Sequence, residues 1–117
     1  MTVVLRRALL DTRKETNMKY AKSSYTDNDT LAVLAYDDNG SLYGVVTVNL
    51  YGSERLPEDC QFVDENNWDG IVEKLEKEGI AEKLKDRFGD VITGRSGFCA
   101  YTAMKFNMDK LVEVENG

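Results

Sequence analysis

"TLAVLAYDDNGSLYGVVTVNLY", Thr30 to Tyr51, decides the fold class. Two apolar runs rich in β-branched and aromatic residues flank Asp37-Asp38-Asn39-Gly40, the pattern of two strands joined by a tight turn. Asn39-Gly40 suits a type I′ turn, whose two central residues need positive φ. The stretch therefore predicts a hairpin of about Leu31–Tyr36 and Leu42–Leu50. In its second strand Val46, Val48 and Leu50 fall on one face, and Val45, Thr47 and Asn49 on the other.

Upstream, "TVVLRRAL" (Thr2 to Leu9) reads as a strand, Asp11 to Lys14 as a polar turn, and Met18 to Tyr25 as a further strand. "TDND" (Thr26 to Asp29) is a turn cluster. Downstream, Tyr51 to Cys60 holds the chain's one proline and reads as a loop, and Gln61–Val63 as a short strand. Trp68, Ile71, Val72 and Leu75 then follow the i, i+3, i+4, i+7 spacing of an amphipathic helix, about 68–78. Asn66 or Asn67 is suited to cap its N-terminus, with Glu65 or Asp69 favouring the helix dipole. Gly79 suits a left-handed helix ending in which Ile80 folds back on Leu75.

A second short helix, about 81–88, is expected to bury Leu84 and Phe88 and to stop at Gly89. "GRSGFCAYTAMKF" (Gly94 to Phe106) begins as a glycine turn and continues as a strand. Phe98, Ala100, Thr102, Met104 and Phe106 share one of its faces; Cys99, Tyr101, Ala103 and Lys105 share the other. A final turn or edge strand follows Asn107. The expected fold is α+β: one domain over 1–117, an antiparallel sheet of four to six strands with the principal helix and the second short helix on one face.

Composition narrows the function classes. The 117 residues carry a net charge of −6 and no histidine, so the commonest general base and the usual partner of a Ser or Cys nucleophile are missing. The charge is unevenly spread: residues 1–26 carry a net of +4, residues 27–79 a net of −10, and residues 80–117 are balanced. An acidic surface is a poor general binder of nucleic acid, whose phosphates need cations, and is suited to steering toward a basic protein surface. There is no apolar run of membrane-spanning length and no uninterrupted apolar core of a signal peptide near the N-terminus. A cytoplasmic setting is the expectation, with Cys60 and Cys99 reduced.

Three motifs come close to known chemistry. Taking Asp64 as the first ligand of a calcium loop places Asn66 correctly, but puts Trp68 at position five, Asp69 where glycine belongs, and Leu75 where the closing glutamate belongs. "GDVITGRS" (Gly89 to Ser96) resembles a phosphate-binding loop with Arg95 in place of lysine, between a helix and a strand in the wrong order. Ser96 lacks the spacing of a nucleophile elbow. No cofactor and no metal is expected. The candidate sites are an acidic docking patch of Asp64, Glu65, Asn66, Asn67 and Asp69, and an anion-binding turn of Arg95, Ser96 and Gly97.

"YGVVTVNL" (Tyr43 to Leu50), "CQFVDENNW" (Cys60 to Trp68), "TGRSGFCAY" (Thr93 to Tyr101) and "MKFNMDKL" (Met104 to Leu111) occur in that order. Together they resemble a bacterial family of domains of unknown function found on plasmids, conjugative elements and phages of Firmicutes. The resemblance runs from about Ala32 to Leu111. Glu65 stands where that family tends to have threonine, Thr102 where a proline often follows the tyrosine, and the region Ile71–Gly89 is more charged than usual. The resemblance implies a mobile-element setting, with no established activity, cofactor or catalytic residue.

Charge, size and setting lead to one expectation. The chain would be a small non-enzymatic accessory factor that binds a basic host or mobile-element protein, as monomer or homodimer. A counter-defence inhibitor such as an anti-CRISPR protein fits that description. The alternatives are a small-molecule or nucleotide-signal binder using the Gly94–Gly97 turn, and an enzyme dependent on Cys99.

Overall fold

A computed structural model of the chain describes residues 18–37 and 39–113. The strand expected over Thr2–Leu9 lies outside the described residues. Among these described residues, nine strands form two sheets around one short α-helix. The first sheet contains β1 (Lys19–Ser24), β2 (Leu31–Tyr36), β3 (Leu42–Val45) and β9 (Val112–Glu113), in the order β3-β2-β1-β9. β9 runs parallel to β1 and the other pairs are antiparallel. The second sheet contains β4 (Thr47–Val48), β5 (Cys60–Val63), β6 (Ala81–Lys83), β7 (Thr93–Ser96) and β8 (Cys99–Phe106). Its order is β4-β5-β8-β6, with β7 also paired to β8. The α+β class is as expected, with two sheets in place of one.

The chain changes sheets at one residue. Val46 donates its N–H to Val33 O in the first sheet, at 2.8 Å, and its carbonyl accepts Asp64 N just beyond β5, also at 2.8 Å. The two backbone groups of Val46 are thus held by different elements, so the single strand expected over Leu42–Leu50 is split into β3 and β4. Simple alternation fails at the bend: Val46 and Thr47 are both buried. Thr47 Oγ1 is satisfied there by Val33 N at 3.1 Å and Tyr25 OH at 3.0 Å. Gln61, fully buried in β5, ties the sheets together by donating to Leu31 O at 2.9 Å and Thr30 Oγ1 at 3.2 Å.

The β2–β3 turn differs from the type I′ expectation: Gly40 N donates to Asp37 O at 3.0 Å, so Asn39 and Gly40 are the third and fourth residues of a turn opened by Asp37, and Gly40 has φ 82. Asp37 replaces that geometry: Oδ1 accepts Asn39 N at 2.9 Å and Ser41 N at 3.0 Å, while its backbone pairs with Gly40 N and Ser41 O. "DRFGD" (Asp86 to Asp90) repeats the arrangement. Asp86 Oδ1 accepts Phe88 N at 2.8 Å and Asp90 N at 3.0 Å, its backbone pairs with Gly89 N and Asp90 O, and Gly89 has φ 87.

That second loop overturns the helix expected over 81–88. Ala81–Lys83 is strand β6, and residues 84–92 form a small hairpin with a bridge between Lys85 and Val91. An aspartate side chain that satisfies nearby amides offers the backbone a turn in competition with a helix. Phe88, expected in the core, stands exposed at the hairpin tip, with the Arg87 guanidinium 5.2 Å from its ring centroid.

The α-helix α1 is Ile71–Lys77, three residues shorter at its start than expected. Gly70 at φ 77 leads into it and no side chain caps it, so neither Asn66 nor Asn67 is the cap. Its ending is the expected one: Ile80 N donates to Leu75 O at 2.9 Å, Gly79 N donates to Glu76 O at 3.1 Å, and Gly79 has φ 73. Ile71, Val72 and Leu75 pack with Val33, Val46, Val63, Trp68, Met104 and Phe106 in the main core. Lys74 is also buried, and is paired through Nζ with Glu78, which also accepts the Tyr20 hydroxyl at 3.5 Å. A smaller core of Leu50, Phe62 and Ala103, with Leu84, Ile92 and Tyr101 against it, covers the opposite face of β8. Both faces of β8 are therefore used, as the alternation of Gly94–Phe106 requires. Among the described residues no helix is long and apolar enough to cross a membrane.

Candidate functional site

The acidic stretch after β5 lies where β8 loses a neighbour. β5 pairs with β8 only at Ala103–Lys105, while β7 pairs with Cys99–Thr102 along the other edge. Backbone groups of alternate residues in an antiparallel strand point to opposite edges. Those of Ala100 and Thr102 point away from β7, toward the loop. Glu65 Oε1 accepts Thr102 N at 2.6 Å, and Asn66 Nδ2 donates to Ala100 O at 2.9 Å. Two side chains thus stand in for the strand that β5 does not supply.

The same loop closes the first sheet. Trp68 Nε1 donates to Val45 O at 3.0 Å, covering the outer edge of β3, and its ring meets Tyr43 edge-on at 5.6 Å. Asn67 Nδ2 donates to both carboxylate oxygens of Asp64, at 3.1 and 3.0 Å. Asp64 O in turn accepts Asn67 N and Trp68 N. Of the five residues in the candidate docking patch, Asp64, Glu65, Asn66 and Asn67 make the hydrogen bonds just described, and Asn66, Asn67 and Asp69 are exposed. The signal available in the sequence was the density of short polar side chains in "DENN"; the groups they would meet, 34 and 37 residues away, left no local trace.

The second candidate is a strand rather than a glycine turn. Arg95 and Ser96 are exposed in β7, opposite Ala100 and Cys99. The turn itself is Gly97-Phe98. Gly97, at φ 62, takes the first central position of a two-residue hairpin loop, where a type II′ turn places glycine. Phe98 at the apex is fully exposed. The two candidates converge: Arg95 and Asn66 lie on opposite sides of Ala100. Gly94 is required at its place in β7, since a Cβ there would lie 2.7 Å from Phe62 Cε1 and 2.9 Å from Leu50 Cδ1.

The cysteines have different surroundings. Cys99 is half-buried near the hairpin apex, and Tyr101 beside it is raised above the ordinary phenol range by desolvation, with Cys99 and Asp64 acting in the same sense. Cys60 is buried, and burial, followed by the Asp59 carboxylate at 3.4 Å, pushes its thiol up to about 12. Tyr20 is raised as well, first by burial and then by Glu78. A raised acid keeps its proton in the folded chain after the unfolded chain has lost it, so the stability it contributes falls as pH climbs past the unfolded value. Urea denaturation at pH 8, 9.5 and 11 should therefore show stability declining through this window. The decline should be shallower in Cys60→Ala and Tyr20→Phe.

One concave surface was missed by the sequence reading. Asp59 ahead of β5, Glu76 on α1, Glu82 on β6 and Asp109 after β8 line an open cavity of ≈ 580 Å³, together with Lys105. A second cavity of ≈ 490 Å³ shares Glu76, Glu82 and Lys105 and continues past Lys83 toward Val91. The carboxylates come from four separate segments, so no sequence window brings them together.

Comparison with protein families matches the model of a domain of unknown function, DUF4313, to residues 20–117. The chain belongs to the DUF4313 family. The DUF4313 match opens inside β1 and takes in every later strand, α1, the acidic loop and the groove. No curated protein and no solved structure matches the chain.

Proposed function

We propose that this DUF4313 chain is a non-enzymatic accessory factor of a mobile element that acts by binding a host or mobile-element protein with a basic surface. Counter-defence inhibition of the anti-CRISPR kind is the form of action that fits best. The observation that carries the reading is the groove of Asp59, Glu76, Glu82 and Asp109, where four carboxylates from distant segments meet on one concave surface, in excess over Lys105 and over Lys110, whose Nζ lies against Gly79 in the groove wall. An excess of one sign focused in a concavity steers a partner of the opposite sign. The net charge of −10 over residues 27–79 adds to that field, and the mobile-element setting comes from the motif resemblance.

The test is affinity capture from host lysate with the tagged full chain and two charge-reversed forms, Glu76→Lys/Glu82→Lys/Asp109→Lys and Asp64→Lys/Asp69→Lys. A basic host protein should be retained at low salt, and lost in the groove triple and at about 0.5 M salt, where screening shortens to a few ångströms. Capture unaffected by both reversals, or no capture at low salt, would overturn the reading.

A further inference from the structure

Strand β6 is an edge of the second sheet, and its outward backbone groups point along the acidic groove. Its register with β8 pairs Ala81 with Phe106, Glu82 with Lys105 and Lys83 with Met104. On the same register Asn107 N donates to Ile80 O, and Leu84 N to Ala103 O. The bonds to β8 therefore belong to Ile80, Glu82 and Leu84, and antiparallel alternation turns the N–H and C=O of Ala81 and Lys83 the other way. Among the described residues no strand pairs with that side of β6. The two cavities run beside it: Glu76 of α1, Glu82 of β6 and Lys105 line both, Asp59 and Asp109 give the first its acidic excess, and Lys83 and Lys85 line the second.

We propose that this edge receives an extended, lysine- or arginine-bearing segment of the partner protein, which adds to the second sheet as a further strand. The inference rests on the protein-binding reading above and names where and how the partner docks. An incoming strand makes main-chain bonds to Ala81 and Lys83, which give affinity without sequence preference. Its side chains alternate along the groove, and those near Glu76, Glu82 and Asp109 meet negative charge. The shortness of β6 and the charge of Lys83 guard the edge against indiscriminate pairing. The carboxylates then select a basic strand over an acidic one.

The experiment uses the full chain and two synthetic ten-residue probes of equal β-propensity, one alternating lysine with valine and one alternating glutamate with valine. In the free chain the amide of exposed Lys83 should exchange with solvent readily, and that of Ala81, 6 % exposed, more slowly. Saturation with the lysine probe should slow them by about tenfold or more, and the glutamate probe should leave them unchanged. Lys83→Pro removes one outward N–H while sparing the bonds at Glu82 and Leu84, and should weaken the lysine probe by about tenfold. Glu76→Lys/Glu82→Lys supplies a second variant that needs no backbone change and should weaken it at least as much.

Ala81 and Lys83 already protected in the free chain, equal binding of both probes, or affinity unchanged in both variants would each overturn the inference. Lysate capture separates it from the broader reading. A basic partner retained by Lys83→Pro as well as by the unmodified chain refutes edge docking and leaves protein binding standing. Probe binding at the edge without any captured partner does the reverse.

Discussion

Replacing Trp68 with alanine is expected to cost about 3–5 kcal/mol, the range for emptying a buried aromatic site. That corresponds to roughly 15 °C or more in Tm for a domain of this size. The indole is 4 % exposed, packs among Val46, Ile71 and Met104, and donates to Val45 O. Trp68→Phe keeps most of the ring but strands that carbonyl beneath it, and should cost about 1–3 kcal/mol. Gly44 gives an independent check, because a Cβ there would sit 2.7 Å from Trp68 Cζ2. Gly44→Ala should cost about 1–3 kcal/mol in the unmodified chain through overpacking. In the Trp68→Ala background the clash has no partner, so the two costs should fall well short of adding. Urea denaturation followed by circular dichroism reads all four variants, since the chain's single tryptophan is removed in three of them.

The same residues show where the sequence was legible. Local signals that end an element were read correctly: Gly79 with Ile80 makes the expected helix ending, and the β2–β3 hairpin is present. Signals for which two local structures compete were harder to read. In "DRFGD" Gly89 suits a helix end, yet Asp86 and Gly89 hold the positions that Asp37 and Gly40 hold in "DDNGS". An aspartate at the first position and a glycine at the fourth specify the hairpin loop in both places. The break at Val46 was hidden for another reason. Val45, Val46 and Thr47 are all β-prone, and only the separate destinations of Val46 N and O bend the chain there. The groove was out of reach altogether, since Asp59, Glu76, Glu82 and Asp109 meet only after the sheet and helix are assembled.

The acidic loop is the place where structure and docking compete for the same side chains, and removing Glu65 and Asn66 decides between them. Glu65→Ala leaves Thr102 N without its carboxylate, and Asn66→Ala frees Ala100 O; the pair together should cost about 2–4 kcal/mol, with the charge-assisted bond the larger share. Because both bonds hold one strand, hydrogen exchange should quicken at Thr102 and its neighbours in β7 and β8, while the amides of β1 and β2 keep their order of protection. Glu65→Gln retains an acceptor and should recover part of the loss, whereas a pure charge effect would not be recovered by a neutral side chain. If the carboxylates of this loop serve a partner instead, Glu65→Ala would leave stability within about 0.5 kcal/mol, as an ordinary surface substitution does, and weaken capture of the basic protein. The geometry favours the first outcome: a carboxylate oxygen 2.6 Å from a backbone amide on the open side of β8 is already occupied.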